Sequence, residues 1–116
     1  MKFLKQIKRV KRKVLLWLNH PEQINSKILN LFMELSENGN KGVFCDMLED
    51  EFDIRFPEIR DSFMRNYVQM KNEAEHNHCK VFDEDKENTV VLWCPVREFI
   101  IERYTEKQLQ EGQSGG

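Results

Sequence analysis

The residues best equipped for chemistry sit at the start of the chain. Lys2, Lys5, Lys8, Arg9, Lys11, Arg12 and Lys13 put seven cations and no acid into residues 1–13. Cations at that density neutralise phosphates or meet acidic protein surface. The chain as a whole has 18 basic and 20 acidic residues, so the remaining 11 bases face all 20 acids. A basic arm on an acidic body points to a polyanionic partner for the arm, either nucleic acid or an acidic protein surface. The body alone is a poor electrostatic match for DNA.

A second constellation is His76, His78, Cys79 and the distant Cys94. Two imidazoles and two thiolates are a valid tetrahedral zinc set. The spacing does not match a zinc finger, because no Cys-x2-Cys occurs and the two histidines are two residues apart. These residues therefore read as a histidine cluster at a helix end beside two half-buried thiols, and neither a metal nor another cofactor is expected. Cys45 has no histidine near it in sequence to make it a nucleophile. Asp46, Glu49, Asp50, Glu51 and Asp53 lack the ligand alternation and the glycine of a calcium loop, so they read as a solvated helix face. No phosphate-cradling loop, dinucleotide fingerprint, zinc-protease helix or nucleophile elbow is present. The chain is expected not to be an enzyme.

The elements that carry these residues follow from periodicity. Phe3, Ile7, Val10, Val14 and Trp17 recur at three- and four-residue steps, which predicts an amphipathic helix over residues 3–18. In an adaptor reading Ile7, Val10, Val14 and Trp17 are the apolar surface that docks on a partner. Ser26 suits an N-cap for a second helix with Ile28, Leu29, Leu31, Phe32 and Leu35, ending at Asn38-Gly39-Asn40. A third helix runs from about Gly42 to Phe52 and turns Val43, Phe44, Met47, Leu48 and Phe52 to the core. Pro57 opens a fourth, marked by Ile59, Phe63, Tyr67, Met70 and Ala74 and reaching about Glu75 or His76.

The period then shortens to two. Cys79–Phe82 and Thr89–Trp93 predict a hairpin centred on Lys86 and Glu87, in which paired numbers sum to 173. That register sets Val81 against Leu92, Phe82 against Val91 and Cys79 against Cys94. Pro95 opens a last helix with Val96, Phe99, Ile100 and Tyr104; a strand over 96–101 is the open alternative. The expected core is Leu31, Phe32, Leu35, Phe44, Leu48, Ile59, Phe63, Tyr67, Val91 and Trp93.

The order of Ser26–Leu35, Val43–Phe52, the turn Asp53–Phe56, Pro57–Ala74 and the hairpin Val81–Trp93 resembles a winged-helix domain. The resemblance covers residues 26–94 and implies an α+β, mainly α fold. It would consist of a tri-helical core, a β-hairpin wing and flanking N- and C-terminal helices. It also implies that the helix matching Pro57–Ala74 enters a major groove, with Arg60 and Arg65 as contacts. The sequence departs from that pattern where Glu58, Asp61 and Glu73 dilute the helix, and where Asp83, Glu84, Asp85 and Glu87 occupy the wing tip. Winged helices also serve as protein-interaction modules, and an acidic one suits that use.

At 116 residues and 14.0 kDa the chain holds one small domain, which excludes a two-domain enzyme or a TIM barrel. Three cysteines, an odd number, argue for a reducing compartment rather than a disulfide scaffold. The apolar run Val14–Leu18 is shorter than a secretory core, and nothing approaches the ~18–20 apolar residues of a membrane span. The expected organisation is a basic arm at 1–20, a domain at 23–110 and a disordered tail at 111–116.

The expected location is the cytoplasm, or a virion or host cell for a viral protein. Two functions are expected from this pattern. One is a nucleic-acid-associated accessory or regulatory protein with Lys5, Lys8, Arg9, Lys11, Arg12 and Lys13 on phosphates. The other is a bacterial or viral adaptor or assembly component, which would also form homo-oligomers or larger assemblies. A membrane is not the expected partner.

Overall fold

A computed structural model describes residues 4–74 and 76–114. Lys2 and Phe3 at the start of the amphipathic stretch, Glu75, and Gly115 and Gly116 in the expected tail lie outside the described residues.

The first helix, α1 (Leu4–Asn19), forms along the predicted stripe, but that stripe is not free to dock. Val10 and Val14 are fully buried and Trp17 nearly so. They pack against α5 (Cys94–Ser114) and α2 (Ile24–Leu35). Ile7 is half-buried against the same core. The expected docking surface is therefore interior, because burial in its own chain removes more apolar area from water than a free arm would. The carbonyls that end α1 are also used within the molecule. Ser26 Oγ donates to the Trp17 carbonyl at 2.6 Å, and Lys107 Nζ donates to that of Leu18 at 2.9 Å. Helix ends leave such carbonyls unpaired until something reaches them.

That bond also corrects the role of Ser26. It lies inside α2, whose N-cap is Gln23. The far end of α2 closes as a Schellman turn: Asn38 N–H donates to the Met33 carbonyl at 2.7 Å and Glu37 N–H to that of Glu34 at 3.3 Å. Glu37 takes the left-handed conformation (φ 54°).

Val43 and Phe44 are not helical. They form a strand, β1 (Val43–Phe44), paired antiparallel with β3 (Thr89–Leu92). Two residues are too few to show a strand period, and their partner lies more than forty residues away. The helix α3 follows as Cys45–Arg55, burying Leu48 and Phe52 and leaving Phe44 and Met47 outside. The helix expected from Pro57 is split. A 3-10 stretch spans Pro57–Ser62, broken at Ile59, and α4 covers Phe63–Lys71 with Phe63, Tyr67 and Met70 buried. Ala74 is exposed beyond its end.

The returning chain stops α4. Val81 N–H donates to the Met70 carbonyl at 2.8 Å. Lys80 Nζ, on a side chain only 4 % exposed, donates to the carbonyls of Lys71 at 2.5 Å and Phe82 at 3.1 Å. Its ammonium also lies over the Trp93 ring, 5.3 Å from the centroid, and 3.7 Å from Asp83 Oδ1. A cation at a helix C-terminus satisfies its carbonyls and its dipole together.

The hairpin is one residue out of the predicted register. Strand β2 (Phe82–Glu84) pairs Phe82 with Leu92, Asp83 with Val91 and Glu84 with Val90. The turn is Asp85–Asn88, closed by an Asn88 N–H bond to the Asp85 carbonyl. Asp85 Oδ1 accepts from the N–H groups of Glu87 and Thr89, and Asn88 is left-handed (φ 60°). A type I turn followed by a left-handed residue makes a three-residue loop, so the pairing sum becomes even. A one-residue shift exchanges faces. Val90 and Leu92 are buried, and Val91 is exposed.

The sheet order is β1-β3-β2, all antiparallel, and the fold is α+β and mainly helical. Of the expected core, Leu31, Phe32, Leu48, Phe63, Tyr67 and Trp93 are buried, Leu35 and Ile59 pack at its edge, and Phe44 and Val91 are exposed. The last helix begins beside Pro95 as expected, buries Val96, Ile100 and Tyr104, and continues to Ser114. Residues 111–114 are therefore helical rather than a disordered tail. Among the described residues no helix is long and apolar enough to cross a membrane.

Candidate nucleic-acid interface

Burying one side of α1 forces the other outward, and the cations are on that other side. Lys5, Lys8, Arg9, Arg12 and Lys13 are all exposed. At 100° per residue they fall within one half of the helix surface, centred near Arg12. Lys11 differs from them. It is half-buried, with Nζ 5.4 Å from the centroid of the Phe99 ring. Among the described residues no carboxylate lies within 4.0 Å of any of these six cations. Exposed Lys41, by contrast, has an acidic partner in Glu37.

Arg9 has one fixed neighbour. Its Nη1 lies 3.2 Å from His78 Nε2. A guanidinium only donates, so Nε2 accepts and the imidazole carries its proton on Nδ1. That Nδ1 is buried without a hydrogen-bond partner. The contact ties α1 to the connection between α4 and β2. Two surface depressions meet there. Arg9, Arg12, Lys13, Leu16 and His78 line one of about 570 Å³. Lys13, Gln69, Asn72, Asn77 and His78 line another of about 580 Å³.

The two arginines expected on a groove-reading helix separate. Arg65 is exposed on α4, one turn before Gln69 and so on the side that approaches Lys13. Arg60 is exposed on the 3-10 stretch and lines neither depression. The acids expected to dilute this surface are present. Glu58 and Asp61 are exposed on the same stretch, and Asp83, Asp85 and Glu87 are exposed at the hairpin end. Glu84 is not part of that fringe. It accepts from the Tyr67 hydroxyl at 2.7 Å and from Lys71 Nζ at 2.9 Å. Burial works against the Glu84 charge, but these two bonds and the Lys71 charge outweigh it and hold the carboxyl below its ordinary range.

The histidine–cysteine set is not assembled. His78 faces Arg9, Cys94 is exposed at the start of α5, and Cys79 is half-buried. Burial pushes the Cys79 thiol up against the opposing charge of Lys13. Among the described residues no group of three or more His, Cys, Asp or Glu side chains is arranged to hold a metal ion.

Sequence reasoning missed the apolar residues that α1 does expose. Leu4, Leu15 and Leu16 stand among the cations. The signal was available for Leu15 and Leu16, which fall off the three- and four-residue stripe of Val10, Val14 and Trp17, but not for Leu4, which stands beside that stripe, three residues before Ile7. No protein-family model, curated protein or solved structure matches this chain.

Proposed function

We propose that this protein is a non-enzymatic nucleic-acid-associated accessory or regulatory protein that contacts phosphates through the exposed half of α1. One observation carries the reading: five exposed cations share that half and, among the described residues, have no carboxylate within ion-pair distance. A solvated decorative face would mix signs, as the outer face of α5 does. At 16 residues the helix is about 24 Å long, enough to follow several phosphates along a backbone. Such contacts fix position and carry no base information, so the expected binding is weakly sequence-selective.

The order helix, strand, helix, helix, hairpin, with the first strand on β3, supports a winged-helix-like arrangement for residues 24–92. The acids around Arg60 and on the hairpin argue against groove entry by α4, so α1 replaces it as the contact element. Because α1 is core-packed, the interface is a rigid surface rather than a flexible arm, and less ordering entropy opposes binding. A protein adaptor is the second reading, favoured by Leu15 and Leu16, which are 43 % and 42 % exposed within the same surface.

The test is fluorescence anisotropy with labelled duplex DNA and RNA. The Lys8→Glu/Arg12→Glu variant should lose most binding, and Arg60→Glu/Arg65→Glu should lose little. The opposite ranking would return the contact to α4, and no measurable binding by the wild type would favour the adaptor.

A further inference from the structure

The apolar residues left outside by the strand β1 and the helix α3 form a face of their own. Phe44, Met47 and Ile54 are 54 %, 53 % and 71 % exposed. Met47 and Ile54 are two turns apart on α3, and Asp46 and Asp50 stand exposed between and beside them. Residues 46–53 hold five carboxylates, and α3 offers one cation, Arg55, which is already paired with Glu34 and Glu51. The carboxylates repel one another: burial and then the charges of Asp53, Asp46 and Asp50 push the Glu49 carboxyl up.

This face is the counterpart of the outer face of α1. One carries three large apolar side chains among cations that have no carboxylate within ion-pair distance among the described residues, and the other carries three beside the exposed acids Asp46 and Asp50. Both are solvent-exposed in a single chain, on helices that share α2 as a neighbour and otherwise pack apart, α1 on α5 and α3 on α4 and β1. We infer that the occupant of the α3 face is a second copy of this chain, docked through the Leu4–Leu16 surface of its α1. Charge complementarity selects that occupant. The cations of one copy neutralise Asp46 and Asp50 of the next, while Leu15 and Leu16 cover Met47 and Ile54. Opposite charge steers the encounter and fixes orientation, and the apolar residues supply the area removed from water. Because two different faces meet, the contact closes as a reciprocal two-fold pair or a ring, or runs on as a filament.

The inference goes beyond nucleic-acid binding and is tested without nucleic acid. Sedimentation velocity at low salt should show the wild type associating with increasing concentration. Lys8→Glu/Arg12→Glu and Asp46→Lys/Asp50→Lys should each weaken that association by at least about a hundredfold, because each sets like charges face to face. All four side chains are exposed, so circular dichroism should show both variants folded. An equimolar mixture of the two should associate again, since each then offers the other a complementary face. A wild type that stays monomeric at low salt, association that survives either reversal, or a mixture that stays monomeric would overturn the inference. The nucleic-acid reading fails separately, because it requires loss of binding in the α1 variant and none in the α3 variant.

Discussion

Replacing Trp17 by alanine tests whether α1 belongs to the core, on which every assignment of its outer face depends. Trp17 is 2 % exposed and packs in the same cluster as Val14, Ile28 and Ile100. Removing a buried tryptophan side chain costs about 3–5 kcal/mol, the lost transfer energy plus the cavity left behind. The Ser26 bond to the Trp17 carbonyl is a backbone contact and survives the substitution, so the loss reads side-chain packing alone. Against a total of about 5–15 kcal/mol this is a large fraction. At about 4–8 °C per kcal/mol for a domain near this size, the melting temperature should fall by at least ~12 °C. Urea unfolding followed by far-ultraviolet circular dichroism measures it. A loss under ~1 kcal/mol, the size of an average substitution, would mean that α1 hangs free and that its apolar stripe is available for docking after all.

Two further outcomes follow from the polar contacts that join the hairpin to α4. Lys80→Ala should destabilise by about 2–4 kcal/mol, because it leaves the buried carbonyl of Phe82 and the partly buried one of Lys71 without this donor; urea unfolding midpoints measure this, and a neutral effect would refute the capping role. Stability should also fall at both ends of the pH range. The Glu84 carboxyl is held low when folded, so its contribution is present above about pH 4.3 and is lost as pH drops through the lower folded value. The Tyr67 hydroxyl is pushed up by burial and by its bond to Glu84, so its contribution is present below about pH 10 and declines above it. Unfolding midpoints against pH should lose part of the acid limb in Glu84→Gln and part of the alkaline limb in Tyr67→Phe.

The helices were legible because their apolar stripes are long. Val10, Val14 and Trp17 marked α1, and Phe63, Tyr67 and Met70 marked α4. The same stripe misled at the level of function, since periodicity shows that a face is apolar but not whether its partner is another molecule or another helix of the same chain. Val43 and Phe44 were illegible as strand because pairing with β3 alone defines them. The hairpin register turned on Asp85 and Asn88, whose Asx bonds and left-handed φ chose a three-residue loop over a symmetric one. The charge split was plain in the sequence, but which cations stay free was not. Lys11 over Phe99 and Arg9 beside His78 are contacts across 88 and 69 residues, and no local pattern encodes them.

The salt dependence of nucleic-acid binding tests the central claim most directly. Each phosphate neutralised by a lysine or arginine releases a counterion and contributes about −0.9 to the slope of log affinity against log salt concentration on duplex DNA. About four of the exposed α1 cations meet a backbone at once, which gives a slope near −3 to −4. Anisotropy titrations of a random-sequence duplex from low to moderate salt should return that slope for the wild type. The Lys8→Glu/Arg12→Glu variant should give a slope shallower by about two contacts' worth. A wild-type slope near zero, or one that the α1 substitutions leave unchanged, would contradict the account.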